Sequence, residues 1–497
     1  MAVPTTRVPG SFVHLDVRSC FSLKEGAFTP EQLAARAAEM GMPAVAMTDR
    51  DGLYGAARFV RACANEGVKP ILGASITVRA SAPPDGRGSE RDAHVVLLAL
   101  DDTGYANLCH LLTDAHMLGE RGDPWVDAAQ ICAHAAGLIA IAGPRSHPGR
   151  AATAGRVDAA ARLLDPFREA FGPERLFVGV EHRVERGSGD EARAMLRLAH
   201  RVGVRAVATN PVRYLEPGDA FVADALECMR RIVPVADTNV SRRNAEGWLK
   251  PSPAMRALFD ERSDLADMTL EIAEMSAFDL GLDRIYFPDF PTPEGRSADA
   301  LLAERTWRGV HERGMHEDEA LRDRLHHELS MIRRMGFAAY FLTVADIVAD
   351  VKTMGIRAAC RGSAAGSLVC YLTGISDVDA LRHDLSFERF MNPMRKDLPD
   401  IDIDVESARR EDVYDMILSR HGTERAGCVA MIDTYRARSA IREVGKALGL
   451  PEVELGMIAK SFPHISASHL REAIDRLPEL QGINLRFEQM ELLFSVA

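Results

Sequence analysis

Residues 398–406 read LPDIDIDVE, with Asp400, Asp402 and Asp404 at every second position. Alternate side chains of a strand share a face. The spacing therefore predicts three carboxylates on one side, with Ile401, Ile403 and Val405 packed on the other. Aspartate is a poor strand former, and clustered carboxylates repel unless a cation lies among them. A break of local rules of this kind points to function. Hard oxygens on one face suit Mg2+ together with substrate phosphates. Two such ions, roughly 3.5–4 Å apart, can drive a phosphoryl transfer. A solvent-facing edge strand that uses charge against aggregation would show the same pattern.

Upstream lies CRGSAAGSLVCYLTG (360–374), glycine and serine directly before an apolar helix. Bare N–H groups at a helix start bind phosphate, and glycine lets the ligand approach. Arg361 adds a guanidinium suited to phosphate. The Walker A form is not matched, because no GK[ST] follows. An ordinary helix start capped by Ser363 would read the same way.

Further out, residues 216 to about 280 and residues 300–355 read as mainly helical, and FPDFPTPEG (287–295) between them breaks regular structure and marks a domain junction. From residue 12 to about 215, short apolar runs alternate with Ala/Leu/Arg-rich helical segments. The runs are 12–17, 43–48, 70–78, 94–100, 137–143, 176–180 and 205–209. Such alternation predicts parallel β/α units, and seven strands could close a barrel with function at its C-terminal strand ends. Residues 430–497 read as helical and partly basic.

The bulk properties restrict the class. The chain has 497 residues, 47% hydrophobic and 27% charged, enough for two to four globular domains. Its eight cysteines are scattered without a C-x-x-C pair, which excludes a zinc ribbon or disulfide framework and fits a cytoplasmic protein. No signal peptide or apolar span of about eighteen residues is present, so no membrane partner is expected. A net charge of -12 does not exclude DNA binding, because a local basic groove suffices. Candidates include Arg389, Arg395, Lys396, Arg436, Arg438 and Arg442.

RGSAAGSLVCYLTGISDVDALRHDLSFERFMNP (361–393), followed by LPDIDID, resembles the palm of C-family bacterial DNA polymerases, the DNA polymerase III alpha subunits. DTYRARSAIREVGKALGLP (433–451) resembles the start of their thumb. The alternating region resembles their PHP domain, a (βα)7 barrel. Segments such as MTDRDGLYGAARF (47–59) are closer to the error-prone, translesion branch. The resemblance implies an α/β and α+β multidomain chain. It would comprise a PHP-like barrel with helical extension (1–280), a nucleotidyltransferase-like palm with mixed sheet and helices (281–430) and a helical thumb (431–497). It implies that Asp400 and Asp402 are catalytic and bind Mg2+. Arg361, Gly362, Ser363 and Arg389 would meet the dNTP phosphates, and Asp404 would play a supporting part. Arg436, Arg438 and Arg442 would contact primer-template DNA. A sliding clamp and translesion accessory proteins would bind through parts not in this chain.

Two departures modify that expectation. The family's third palm aspartate, its fingers, clamp-binding segment and OB region find no match, so this chain alone is expected to be inactive, a fragment or one part of a larger enzyme. The barrel's metal pattern is also altered. The family's H-x-H-x-H reads His14, Asp16, Arg18; T-D-H reads Thr48, Asp49, Arg50; an expected glutamate is Ser75; and the late D-x-H ends in Arg213. Arginine stays protonated and repels a cation, so no metal is expected there. The surviving His14, Asp16, Asp49 and Asp51 could be read as a residual site, but are expected to be salt-bridged structure. The alternatives are a metal-dependent PHP phosphoesterase, against which these replacements speak, and a truncated module that binds DNA without turnover.

Overall fold

Contacts divide the chain into two units, Met1–Leu282 with Asp433–Ala497, and Asp283–Ile432. The computed structural model describes residues 10–79, 92–236, 239–284, 287, 289–293, 295–394, 398–429, 431–476 and 493. Arg395, Lys396 and most of the expected thumb beyond 476 lie outside the described residues.

In the first unit, six of the seven predicted runs form one sheet. Its strands are β1 (Ala44–Arg50), β2 (Lys69–Arg79), β3 (Asp92–Ala99), β4 (Leu138–Ala142), β5 (Leu176–Glu181) and β6 (Arg205–Thr209), paired in chain order. Both faces are buried. Val96 and Leu98 point inward with Ile139, Ile141, Phe177 and Val207. Val95 and Leu97 point outward with Ala74, Ile76 and the flanking helices. Burial on both faces is why the strands read as near-continuous apolar runs.

Two expectations need correction. The β/α units are parallel at β1–β2, β4–β5 and β5–β6, but β3 is antiparallel to both neighbours. No helix is predicted between the runs that become β2 and β3. A parallel pair needs a crossover of a dozen or more residues, usually helical, whereas an antiparallel pair does not. The first run, 12–17, is extended but forms no regular strand. It hydrogen-bonds β1 (Ala46 N–H to His14 O, 2.9 Å; Thr48 N–H to Val17 O, 2.8 Å) and the chain after β6 (Val212 N–H to Asp16 O, 2.9 Å). Side-chain hydroxyls take its other amide donors: Ser252 that of Phe12, Thr269 that of Val13 and Thr48 that of Val17. The segment thus joins the two ends of the sheet without a continuous ladder.

The helix Ala437–Ala447 also belongs to this unit. Ala437, Ile441 and Val444 form its buried stripe, packed on Cys228 and Met229 of helix Ala220–Arg231. In the second unit, helices Ala298–Glu312, Glu319–Met335 and Ala338–Thr353 surround Leu325, Ile332, Phe341, Val369, Phe387 and Phe390. Trp307 and the 335–342 segment pack on this core. A two-stranded antiparallel sheet lies beside it, β7 (Ala358–Arg361) and β8 (Asp402–Val405). Among the described residues, no helix is long and apolar enough to cross a membrane.

Candidate active site

The short sheet of the second unit sets the geometry. Arg361 stands opposite Asp402 in the ladder, with Asp404 two residues further along the same face. Opposite and diagonal positions are within reach of a long side chain. The Arg361 guanidinium lies 3.3 Å from Asp402 Oδ2 through Nη1, and 3.1 Å from Asp404 Oδ1 through Nε. Asp404, then Asp402, hold its pKa above the ordinary arginine value. Arg361 was expected to meet substrate phosphate; here it neutralises the carboxylates.

Asp400 is exposed and precedes the strand. The chain is anchored between the two aspartates, where the Ile401 N–H donates to Tyr340 Oη at 2.9 Å. Gly362 opens the turn with φ +74°, a conformation that favours glycine. A Cβ at that position would come within 3.3 Å of Asp402 Oδ2. The glycine turn and the acidic strand therefore meet at Asp402.

The expected helix start differs in detail. Gly362–Gly366 form a 3-10 turn, and the apolar helix begins only at Leu368. Its cap is Ser367, not Ser363: Ser367 Oγ accepts from the Cys370 N–H at 3.2 Å. Its first amides are not open to phosphate. Glu328, fully buried, accepts from the N–H groups of Leu368 (3.0 Å) and Val369 (3.1 Å) and from Ser367 Oγ (2.8 Å). Arg324 pairs with Glu328 at 2.6 Å and donates to the carbonyls of Gly366 (2.9 Å) and Leu385 (2.8 Å). This pair fastens the far end of the turn to the 385–390 segment. Arg389 lies there, exposed, between the buried Phe387 and Phe390. The amides of Gly362 and Ser363, ahead of the capped helix, are the part of the motif adjoining Asp402.

Arg324, Glu328 and Tyr340 belong to no local motif of the sequence. A signal existed for Glu328, which falls in the buried stripe Leu321, Leu325, Glu328, Ile332 of its helix. A carboxylate in an apolar stripe demands partners.

Among the described residues, no group of three or more His, Cys, Asp or Glu side chains is arranged to hold a metal ion. As donors, Asp400 and Asp402 still fit a hard divalent cation: both offer carboxylate oxygens that solvent can reach. Arg361 is the counter-charge that such a cation would displace from Asp402.

In the barrel, the arginines at the altered positions are built into the polar interior. Arg18 pairs with Glu25 at 3.0 Å and with Asp16 at 3.8 Å, and donates to Ser75 Oγ at 3.0 Å. Arg50 pairs with Glu25 at 2.6 Å. Asp49 departs from the salt-bridge expectation, since its partners are Ser19 and Ser22 hydroxyls at 2.7–3.0 Å and the Ser19 N–H at 2.7 Å. His14 contacts the Lys250 carbonyl at 2.8 Å, and burial lowers its pKa to about 4, so it is neutral. Arg213 also enters this polar region, but no carboxylate lies within ion-pair distance of it among the described residues. Of the expected DNA contacts, Arg436 occupies the N-cap position of the helix Ala437–Ala447 without a capping side-chain hydrogen bond, while Arg438 and Arg442 lie within it, four residues apart and exposed. Arg438 Nε donates to the Phe462 carbonyl at 2.8 Å.

Comparison with known proteins places these features in a lineage. Residues 14–183 match the PHP domain, and residues 300–497 the bacterial DNA polymerase III alpha NTPase domain. An error-prone DNA polymerase of Symbiobacterium thermophilum is 36% identical over 98% of this chain and 46% of its own length. A DNA polymerase III subunit alpha of Caulobacter vibrioides is 35% identical over 95% of this chain and 42% of its own. An error-prone DNA polymerase of Mycobacterium bovis is 33% identical over 94% and 43%. The chain thus spans less than half the length of these relatives. Among solved structures, an amidohydrolase from Chromobacterium violaceum covers 41% of this chain and 88% of its own, at 18% identity and a TM-score of 0.30. The chain thus carries a PHP domain match followed by a polymerase III alpha NTPase domain match, and over nearly its whole length it is similar to error-prone DNA polymerases and DNA polymerase III alpha subunits of bacteria.

Proposed function

We propose that this chain contributes the nucleotide-binding half of an error-prone-type DNA polymerase, which adds deoxynucleotides to a primer 3′ end on template DNA. The observation that carries the reading is the meeting of the Asp402 carboxylate, the Gly362 turn and the Arg361 guanidinium at one point. Asp400 and Asp402 would hold Mg2+, which supplies positive charge for phosphoryl transfer. Gly362 and Ser363 would offer amides to the triphosphate. Arg361 would leave Asp402 as a cation arrives and turn its bidentate fork to phosphate. Arg389 would approach from the neighbouring turn, and Asp404 would keep Arg361 near. Arg436, Arg438 and Arg442 would follow the DNA backbone. The PHP barrel would support the polymerase domain without a metal of its own. A sliding clamp and translesion accessory proteins would be partners of the completed enzyme, which we place in the cytoplasm.

Primer extension tests this reading, with the chain alone and with the remaining half of the Symbiobacterium thermophilum relative supplied in trans. Extension is expected only in the second case, and Asp402→Asn is expected to abolish it. Extension by the completed enzyme that survives Asp402→Asn would remove the assignment.

A further inference from the structure

The carboxyl ends of β4, β5 and β6 open on a cavity of about 410 Å³, within the roughly 300–1,000 Å³ range of small-ligand pockets. The cavity lies wholly in the first unit. Arg145 follows β4, Arg183 follows β5 and Arg213 follows β6, and all three line it.

The carboxylates on its wall are already engaged. Asp224 holds Arg242 through two hydrogen bonds of 2.6 Å. Glu185 and Glu191 face Arg183. Glu227 accepts from Ser241 Oγ at 2.7 Å, and Glu246 pairs with Lys250 at 3.2 Å. The guanidiniums of Arg145, Arg213 and the exposed Arg243 have no hydrogen-bonded or ion-paired partner among the described residues, and of the three only Arg145 and Arg213 are half-buried. Glu25, whose field reaches Arg213, is held by Arg18 at 3.0 Å and Arg50 at 2.6 Å.

Two guanidiniums in one recess with no direct ion pair leave donors unsatisfied, although the buried Glu181 lies near Arg145, and Glu25 and Glu227 near Arg213. Burial, then the nearby Arg145 and Arg18, push Arg213 down to about 10, so it remains cationic at neutral pH. The planar fork of arginine matches oxyanions through paired hydrogen bonds.

We propose that this cavity is a metal-independent oxyanion site in which Arg145 and Arg213 together hold a phosphate-type dianion. The ligand is inorganic phosphate or the terminal phosphoryl group of a nucleotide. The site is separate from Asp400 and Asp402, and its existence does not depend on polymerase activity.

Calorimetric titration of the whole chain with inorganic phosphate, and separately with a deoxynucleoside triphosphate, tests the proposal. Ionic strength is held constant and divalent cations are removed by chelation. Saturable phosphate binding is expected, weakened about tenfold or more by either Arg145→Gln or Arg213→Gln. Binding of the triphosphate that is tighter than that of phosphate, and equally sensitive to these substitutions, identifies the nucleotide; equal affinity identifies the free ion. Mapping of phenylglyoxal modification in the unsubstituted protein gives a readout independent of variant folding. Phosphate should protect Arg145 and Arg213. No saturable binding, binding that both substitutions leave unchanged, or no protection of these two arginines overturns the proposal.

Discussion

Replacing Glu328 tests whether the glycine turn is held from behind. In Glu328→Ala, the Leu368 and Val369 amides and the Ser367 hydroxyl lose their acceptor, and Arg324 loses its partner. A buried donor left unsatisfied costs about 1–3 kcal/mol, and breaking a buried ion pair by removing one partner costs roughly 3–5 kcal/mol. The effects share one carboxylate and do not add. Arg324 is also about one-fifth exposed, which places its share at the low end. We expect about 4 kcal/mol for Glu328→Ala. For Glu328→Gln we expect about 2 kcal/mol, because an amide keeps one acceptor oxygen but turns donors toward donors. The assay is urea unfolding read by hydrogen exchange in peptides covering 367–373. The chain has two units, and a single global midpoint would mix their transitions. Faster exchange in that window at low urea is expected for both variants. If Glu328→Gln leaves exchange and midpoint unchanged, Glu328 does not carry the turn.

Two further outcomes concern other contacts of the chain. Burial opposes the charge of Glu25, but Arg18, Arg50 and Arg213 outweigh it and hold its pKa well below the usual carboxylate range. Its contribution is therefore present above the unfolded value of about 4.3 and lost as pH falls through and below it. Glu25→Gln should cost about 3 kcal/mol at pH 7, and the gap to the unsubstituted protein in thermal unfolding should shrink below about pH 4; a gap independent of pH would contradict the pairing. For DNA, replacing Arg436 and Arg442 by Gln should weaken binding uniformly across sequences. It should also flatten the slope of log affinity against log salt by about 0.9 per lost contact to duplex. An unchanged slope in fluorescence anisotropy titrations would remove these residues from the DNA surface.

The sequence disclosed what local period could disclose. Alternating aspartates marked β8, and six of seven apolar runs became strands, because two-faced burial leaves a dense apolar signature. The failures lie where distant residues decide. Residues 12–17 lack a ladder because Thr48, Ser252 and Thr269 supply hydroxyls from elsewhere in the chain. The strand starts at Asp402 rather than earlier, with the Ile401 amide bonded to Tyr340, 61 residues away. Arg361 was legible as a phosphate-binding type of residue, but not as the counter-ion of Asp402 and Asp404, because that requires the β7–β8 register. Glu328 was legible in principle, as a charge within an apolar stripe. The glycine-serine motif was legible as a unit, yet its division into an anchored helix start and a free leading turn is a tertiary fact.

The central claim is that the acidic strand and the glycine turn form one cation-and-phosphate site. Electron paramagnetic resonance of Mn2+ added to this chain, with and without a deoxynucleoside triphosphate, tests it most directly. The account predicts bound Mn2+ that increases when the nucleotide is present and is lost in Asp400→Asn/Asp402→Asn. Nucleotide-dependent Mn2+ binding of equal strength in that double variant would contradict it.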